Sequence, residues 1–339
     1  MQATCQTKAD LGCCSGDIVI DPSIATIAND AFTGCINITS VDMSSVTDVG
    51  DRAFRLCSGL TSAYMPNVLR TGYETFMGTS FTTVDMPLVT SMGQSSFSVC
   101  SSLTSVNIPQ ASGLSSYAFF HCYSLVTITM PLVTGMGLRV FEGDGSLTSA
   151  DAPLVKGIGY SCFNGCSQLT SSNMSLITFI DKFTFNGCSS MTSFNSPLVT
   201  SVGQSAFFSC RGLTHVELPL VTFVGYRAFY GASHIASVNM PLVTRLDGDS
   251  FMGCAALTDF NAPGRMLLPT SLLHIGGAVF YQLSGLSGDL VVPSSVTSVG
   301  SKAFYQCTGF YSGYVVENSS ATVSTDAFSG CCTVQPLHF

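Results

Sequence analysis

The chain has 339 residues, 46% of them hydrophobic and only 9% charged, with a net charge of −8 and 15 cysteines. So much apolar material argues against disorder. Twelve Lys and Arg, thinly spread, form no phosphate-neutralising stripe, so neither nucleic acid nor an anionic membrane surface is an expected partner.

Taken in order, residues 1–15 (MQATCQTKADLGCCS) contain no apolar signal core, so the chain is either cytosolic or lacks its export signal. They read as an N-terminal cap. Repetition then begins. Pro87–Ile108, PLVTSMGQSSFSVCSSLTSVNI, returns 110 residues later as Pro197–Leu218, PLVTSVGQSAFFSCRGLTHVEL, with 13 of 22 positions identical. A 22-residue word repeated five periods on marks a repeat array. Its anchor is a phenylalanine: Phe32, Phe54, Phe76, Phe97, Phe119, Phe141, Phe163, Phe185, Phe207, Phe229, Phe251, Phe280, Phe304 and Phe328. These 14 repeats occupy residues 16–332. The spacing is 21 or 22 residues up to Phe251, then 29, 24 and 24, with an insertion near 262–270 where a longer repeat type takes over. Residues 333–339 read as a tail. No apolar run reaches the roughly 18–20 residues of a membrane helix, so no membrane insertion is expected.

Each repeat follows one grammar. Cys stands three residues after Phe in ten of the 14 repeats, and an apolar residue, usually Leu, follows three later. That residue opens L-x-x-Φ-x-Φ, whose last part has the period of a strand. Pro often stops the strand, as at Pro109, Pro131 and Pro153. V-T-x-Φ-Gly follows, with Gly four residues before Phe in nine repeats, marking a turn. Between that Gly and the Cys there is room for one or two helical turns at most. One short strand per repeat is expected, with strands of successive coils parallel and side by side, about 4.8 Å apart.

The words L-x-x-I-x-[IM]-P and V-T-x-[IV]-G-x-x-A-F-x-x-C, as in VPSSVTSVGSKAFYQC, resemble the BspA-like leucine-rich repeats over roughly residues 16–332. The resemblance implies an α/β right-handed solenoid of about 14 coils, with a parallel β-sheet on the concave face and short strands, turns or short helices on the other side. It implies no catalytic residue. Members of that family are typically surface proteins of bacteria and protist parasites, some resembling adhesins.

The ten cysteines in the F-x-x-C column, from Cys35 to Cys331, read as a ladder of small buried thiols whose parallel side chains do not bond to one another. Cys162, just before Phe163, also reads as core. Cys5, Cys13, Cys14 and Cys332 lie at the ends, where a Cys5–Cys13 or Cys5–Cys14 bridge would staple the cap. His121 and Cys122 are adjacent but should point apart, and no H-E-x-x-H, Walker A or G-x-G-x-x-G motif is present. Catalytic groups, cofactors and metal are therefore not expected. Asp144 replaces the ladder cysteine. A buried unpaired carboxylate is costly, so it should bond neighbouring amides or sit on a loop that bulges outward. Tyr281, Tyr305, Tyr311 and Tyr314 cluster in the last coils as an end cover or contact patch. Asn37, Asn173 and Asn318 begin glycosylation triplets of the kind chance supplies in a Ser/Thr-rich chain.

A binding site belongs on the outward columns, two and four residues after the Leu. They are mostly Ser, Thr, Asn and Asp, with the candidates Tyr64, Asp85, Asn107, Asp151, His215, Glu217 and Asp259. His215, Glu217 and Asp259 break the monotony over three coils, and Tyr64 is a second outlier. The expected function is recognition or adhesion, with a protein or glycan partner held on this polar face, at the cell surface or outside the cell. An intracellular interaction scaffold is the alternative.

Overall fold

The computed structural model describes residues 3–5, 14–310 and 313–331, with side chains from residue 14 onward. There are two compact units, Met1–Met174 and Ser175–Phe339. Each is a parallel β-solenoid holding seven of the phenylalanine-centred coils.

A regular coil has two strands, one more than its L-x-x-Φ-x-Φ word predicts and one of the options the family resemblance implies for the other side. The longer one has three residues, as in Thr83–Asp85, and the shorter has two, as in Ser91–Met92. The short strand is the x-Φ of V-T-x-Φ-Gly, with Φ buried and x outward. Like strands pair in register along each unit. Val84, Val106, Ile128 and Ala150 line up in the first, and Ile180, Val202, Val224 and Leu246 in the second. Long strands Ser62–Tyr64 and Thr83–Asp85 are not hydrogen-bonded to each other, at the point where the repeat shortens to 21 residues. The extra residues after Phe251 form an antiparallel hairpin, Asp259–Ala262 with Arg265–Met266.

Of the options open for the rest of the coil, strands and turns are used, and no α-helix occurs among the described residues. The second residue before Phe has positive φ in 13 of the 14 coils, and the second after it in all 14. A helix tolerates neither. The alternation splits the amides into two sets. Ala53, Arg55 and Cys57 donate back three residues, to Gly50, Arg52 and Phe54. Arg52, Phe54 and Leu56 donate forward to Tyr73, Thr75 and Met77 of the next coil, at 2.7, 2.8 and 2.8 Å. A non-glycine residue at positive φ, such as Val99, costs about 1–2 kcal/mol, which the inter-coil bonds offset. The glycine four before Phe answers a different need. A Cβ on Gly93 would lie 2.3 Å from the Gly72 carbonyl, so the coils could not approach.

The core is the phenylalanine column. Consecutive rings stack 5.0–5.7 Å apart from Phe32 to Phe163, and 5.2–5.8 Å apart from Phe185 to Phe328. Polar side chains at the surface and in the core bond to the coil before them. The hydroxyls of Thr104, Thr148 and Thr170 donate to the carbonyls of Thr82, Val126 and Thr148 at 2.8, 3.1 and 3.1 Å. The buried thiols do likewise: Cys57, Cys122 and Cys210 donate to the carbonyls of Phe32, Phe97 and Phe185 at 3.0, 3.1 and 3.0 Å.

Two cysteine expectations need correction. Cys14 is bonded to Cys35, so the Cys5–Cys14 bridge is not made. Cys35 belongs to the column whose members were expected not to bond. Cys14 stands 21 residues before it, the place of the same column one coil earlier, and the Cα atoms are 4.9 Å apart, within disulfide reach. The Cys5–Cys13 alternative and Cys332 lie outside the described side chains.

Phe207 is 1% exposed between two stacked rings. Phe207→Ala is expected to cost about 3–5 kcal/mol in denaturant unfolding; a change under 1 kcal/mol would mean the column does not carry the core.

Candidate functional site

Strand alternation places the seven candidate residues as expected, on the outward side of the long strands. Tyr64 (61% exposed), Asp85, Asn107, Asp151 and His215 are exposed; Glu217 and Asp259 are half-buried. They do not form one site. Within the first unit, Asn107 Nδ2 donates to Asp85 Oδ1 at 2.8 Å. Asp151 lies two strands further along and accepts from the Asn173 amide at 3.2 Å. Tyr64, in a separate sheet, stands over a shallow notch shared with Ser40, Asp42 and Ser62.

In the second unit His215 and Glu217 do come together. His215 Nε2 is 3.6 Å from Glu217 Oε2, its Nδ1 meets the Ser237 hydroxyl, and Asn239 Nδ2 donates to Glu217 Oε1 at 2.7 Å. Asp259 does not join them. Register puts it one strand beyond Ser237, and its carboxylate accepts the Gly264 amide at 2.9 Å, bracing the hairpin. The sequence shows the residue but not the hairpin, so its turn role was not legible.

Side chains of this surface largely bond to one another. Among the described residues no three of His, Cys, Asp and Glu converge on a point. His121 stacks on Phe120 and Tyr123, while the Cys122 thiol is buried against the Phe97 carbonyl, so the two side chains do not meet. Of the late tyrosines, Tyr281 stacks on Tyr305 and Tyr314 on Phe328, while Tyr311 lies outside the described residues. Asn37 and Asn173 are exposed, whereas Asn318 Nδ2 donates to the Val296 carbonyl at 2.9 Å. No helix of the described residues is long and apolar enough to cross a membrane.

Asp144 departs from its expectation. It neither bulges outward nor bonds neighbouring amides: it is fully buried, and neither carboxyl oxygen has a hydrogen-bond partner. Burial holds its pKa well above the carboxylate range, and the Cys122 backbone nearby opposes this only in part. Asp144 thus takes the place of a thiol in the column without making the thiol's hydrogen bond to the preceding coil.

Comparison with known proteins agrees with this architecture. The family described as BspA type Leucine rich repeat region matches residues 11–102, 70–190, 134–258, 178–310 and 265–339. No curated protein matches the chain. A leucine-rich repeat protein of Bacteroides ovatus is similar in fold, with TM-score 0.56 and 21% identity over 91% of this chain and 94% of its own. A leucine rich cell surface protein of Faecalibacterium prausnitzii follows at TM-score 0.51 and 23% identity, over 94% and 86%.

A raised folded-state pKa at Asp144 means that folding takes up a proton once pH exceeds the unfolded carboxylate value. The contribution of Asp144 to stability is therefore greatest at and below about pH 4 and declines as pH rises toward the folded pKa. Asp144→Cys is expected to remove this slope and to stabilise the fold by about 2–3 kcal/mol at pH 7. Denaturant melts of both proteins between pH 4 and 8 check this; parallel curves would refute it.

Proposed function

The chain belongs to the BspA-type leucine-rich repeat family, and from that premise we propose that it is a non-enzymatic recognition protein acting at the cell surface or outside the cell. The partner, a protein or a glycan, lies across the outward columns of the long strands. One observation carries the reading: the repeat leaves these side chains outside the core, so they are free to vary, and they vary where His215 and Glu217 pair over a monotonous Ser/Asn background. Hydroxyls, amides and carboxylates at 4.8 Å spacing offer a ruled surface of hydrogen-bonding groups to an extended partner.

Placement outside the cytosol is supported by the Cys14–Cys35 bridge, since cytosolic thiols are kept reduced, and by the similar fold of a leucine rich cell surface protein.

The joint variant Asp85→Ala, Asn107→Ala, His215→Ala and Glu217→Ala spares Asp259 for its hairpin bond. Its stability should change little, by about 0.5 kcal/mol per site, while binding to immobilised glycans and cell-surface proteins falls at least tenfold. Equal binding by parent and variant would remove this face from consideration.

A second measurement concerns compartment. On protein taken from its own cell, iodoacetamide should leave Cys14 and Cys35 unmodified until reductant is added. The buried free thiols, such as Cys100 with its pKa pushed up to about 11 by burial, should react only on unfolding. Labelling of Cys14 and Cys35 in unfolded, unreduced protein would favour an intracellular scaffold.

A further inference from the structure

The outward column of the short strands carries a feature the repeat does not require. In the first unit this column reads Thr26, Asp48, Arg70, Ser91, Gly135 and Gly157, with no aromatic residue. In the second it reads Phe179, Ser201, Phe223, Arg245, His274, Ser298 and Thr322. Register sets Phe179 beside Ser201 and Ser201 beside Phe223. The two phenylalanines are thus two strands apart, about 10 Å, with a small residue between them. Phe179 is 43% exposed. Between and beside the rings is a notch of about 320 Å³, rimmed by Asp181, Lys182, Gln204 and Tyr226.

We propose that this notch binds one pyranose ring of a glycan, with its C–H faces against Phe179 and Phe223 and its hydroxyls on Ser201, Gln204, Lys182 and Asp181. The spacing is the first reason. Inside the coils, phenyl rings one strand apart stack at 5.2–5.8 Å, so rings two strands apart leave a gap one ring thick. The polar groups select the kind of ring. Among the described residues the Ser201 hydroxyl has no hydrogen-bond partner, nor do the side chains of Gln204 and Lys182. An apolar aromatic side chain seated there would strip water from these groups and return nothing, whereas a ring bearing hydroxyls supplies both donors and acceptors. The lining carries two carboxylates, Asp181 and Asp247, and one ammonium, Lys182; Asp247 is already paired with Arg245 at 2.7 Å, so Lys182 beside Asp181 leaves a site that selects neither an anion nor a cation. A neutral polyhydroxylated ring fits that balance. Few convergent polar groups over aromatic walls is the usual construction of a small-ligand site. The notch does not depend on the long-strand face, and variants of either face leave the other intact.

The test is saturation-transfer NMR on the full chain with the methyl glycosides of glucose, galactose, mannose and N-acetylglucosamine, and with N-acetyltyrosinamide as the competing class. Ser201→Phe fills the gap with a third ring in a strand position that suits an aromatic; Phe223→Ala removes one wall. The expected result is transfer to the ring protons of at least one glycoside, reduced tenfold or more in each variant whose circular dichroism and melting match the parent. The proposal fails if no glycoside is saturated, if transfer persists in either folded variant, or if only N-acetyltyrosinamide binds.

Discussion

The direction of the amides around each phenylalanine is the constraint on which this structure rests. Positive φ on both sides of the ring turns every second amide out of its own coil and toward the next one. The inter-coil bonds hold the backbones close enough for the rings to stack, and the stacked rings form a continuous core. A helix at this place would keep its hydrogen bonds to itself and could not couple the coils in this way. Residues that dislike positive φ, among them Val99 and Arg52, are tolerated because the local cost is smaller than the coupling gained.

The same geometry accounts for the composition. With so few charges and such high apolar content, the chain must satisfy its interior polar groups by other means. Buried Cys thiols do so by reaching the carbonyl of the preceding coil's phenylalanine, and at the surface Thr hydroxyls reach the carbonyl of the equivalent residue one coil earlier. Small donors suit these columns because the coil spacing is fixed and leaves no room for longer side chains. Asp144 shows the limit of the rule. It keeps the buried place but, when ionised, has no proton to give. Cys14 and Cys35 show another outcome of the same spacing, since two sulfurs in one column are within bonding reach.

Function belongs to what the repeat leaves free. Positions that build the coil are occupied by the same few residue types throughout, whereas the outward columns of both strand types accept many. The functional proposals accordingly rest on departures from the background: His215 with Glu217 on the long strands, Phe179 with Phe223 on the short ones. Asp259 is the counterexample. It departs from the background too, yet its carboxylate serves the Gly264 turn, so an unusual outward residue is a candidate only until its partners are known.

By itself the sequence determined the period, the phenylalanine core, the inward and outward sets of the long strands, and the family, because each depends only on which residue type recurs at which spacing. The Phe179–Phe223 pair was legible in principle as well, in VTFVG and ITFID where other repeats read VTSVG. Tertiary structure alone decided the second strand of each coil, the turns in place of helices, the Cys14–Cys35 bond, the orphaned Asp144 and the loss of Asp259 to the hairpin. All of these depend on what a backbone or side-chain group finds one coil away. Periodicity states that a neighbour exists, but which atom of it lies within 3 Å is settled only when the coils are stacked.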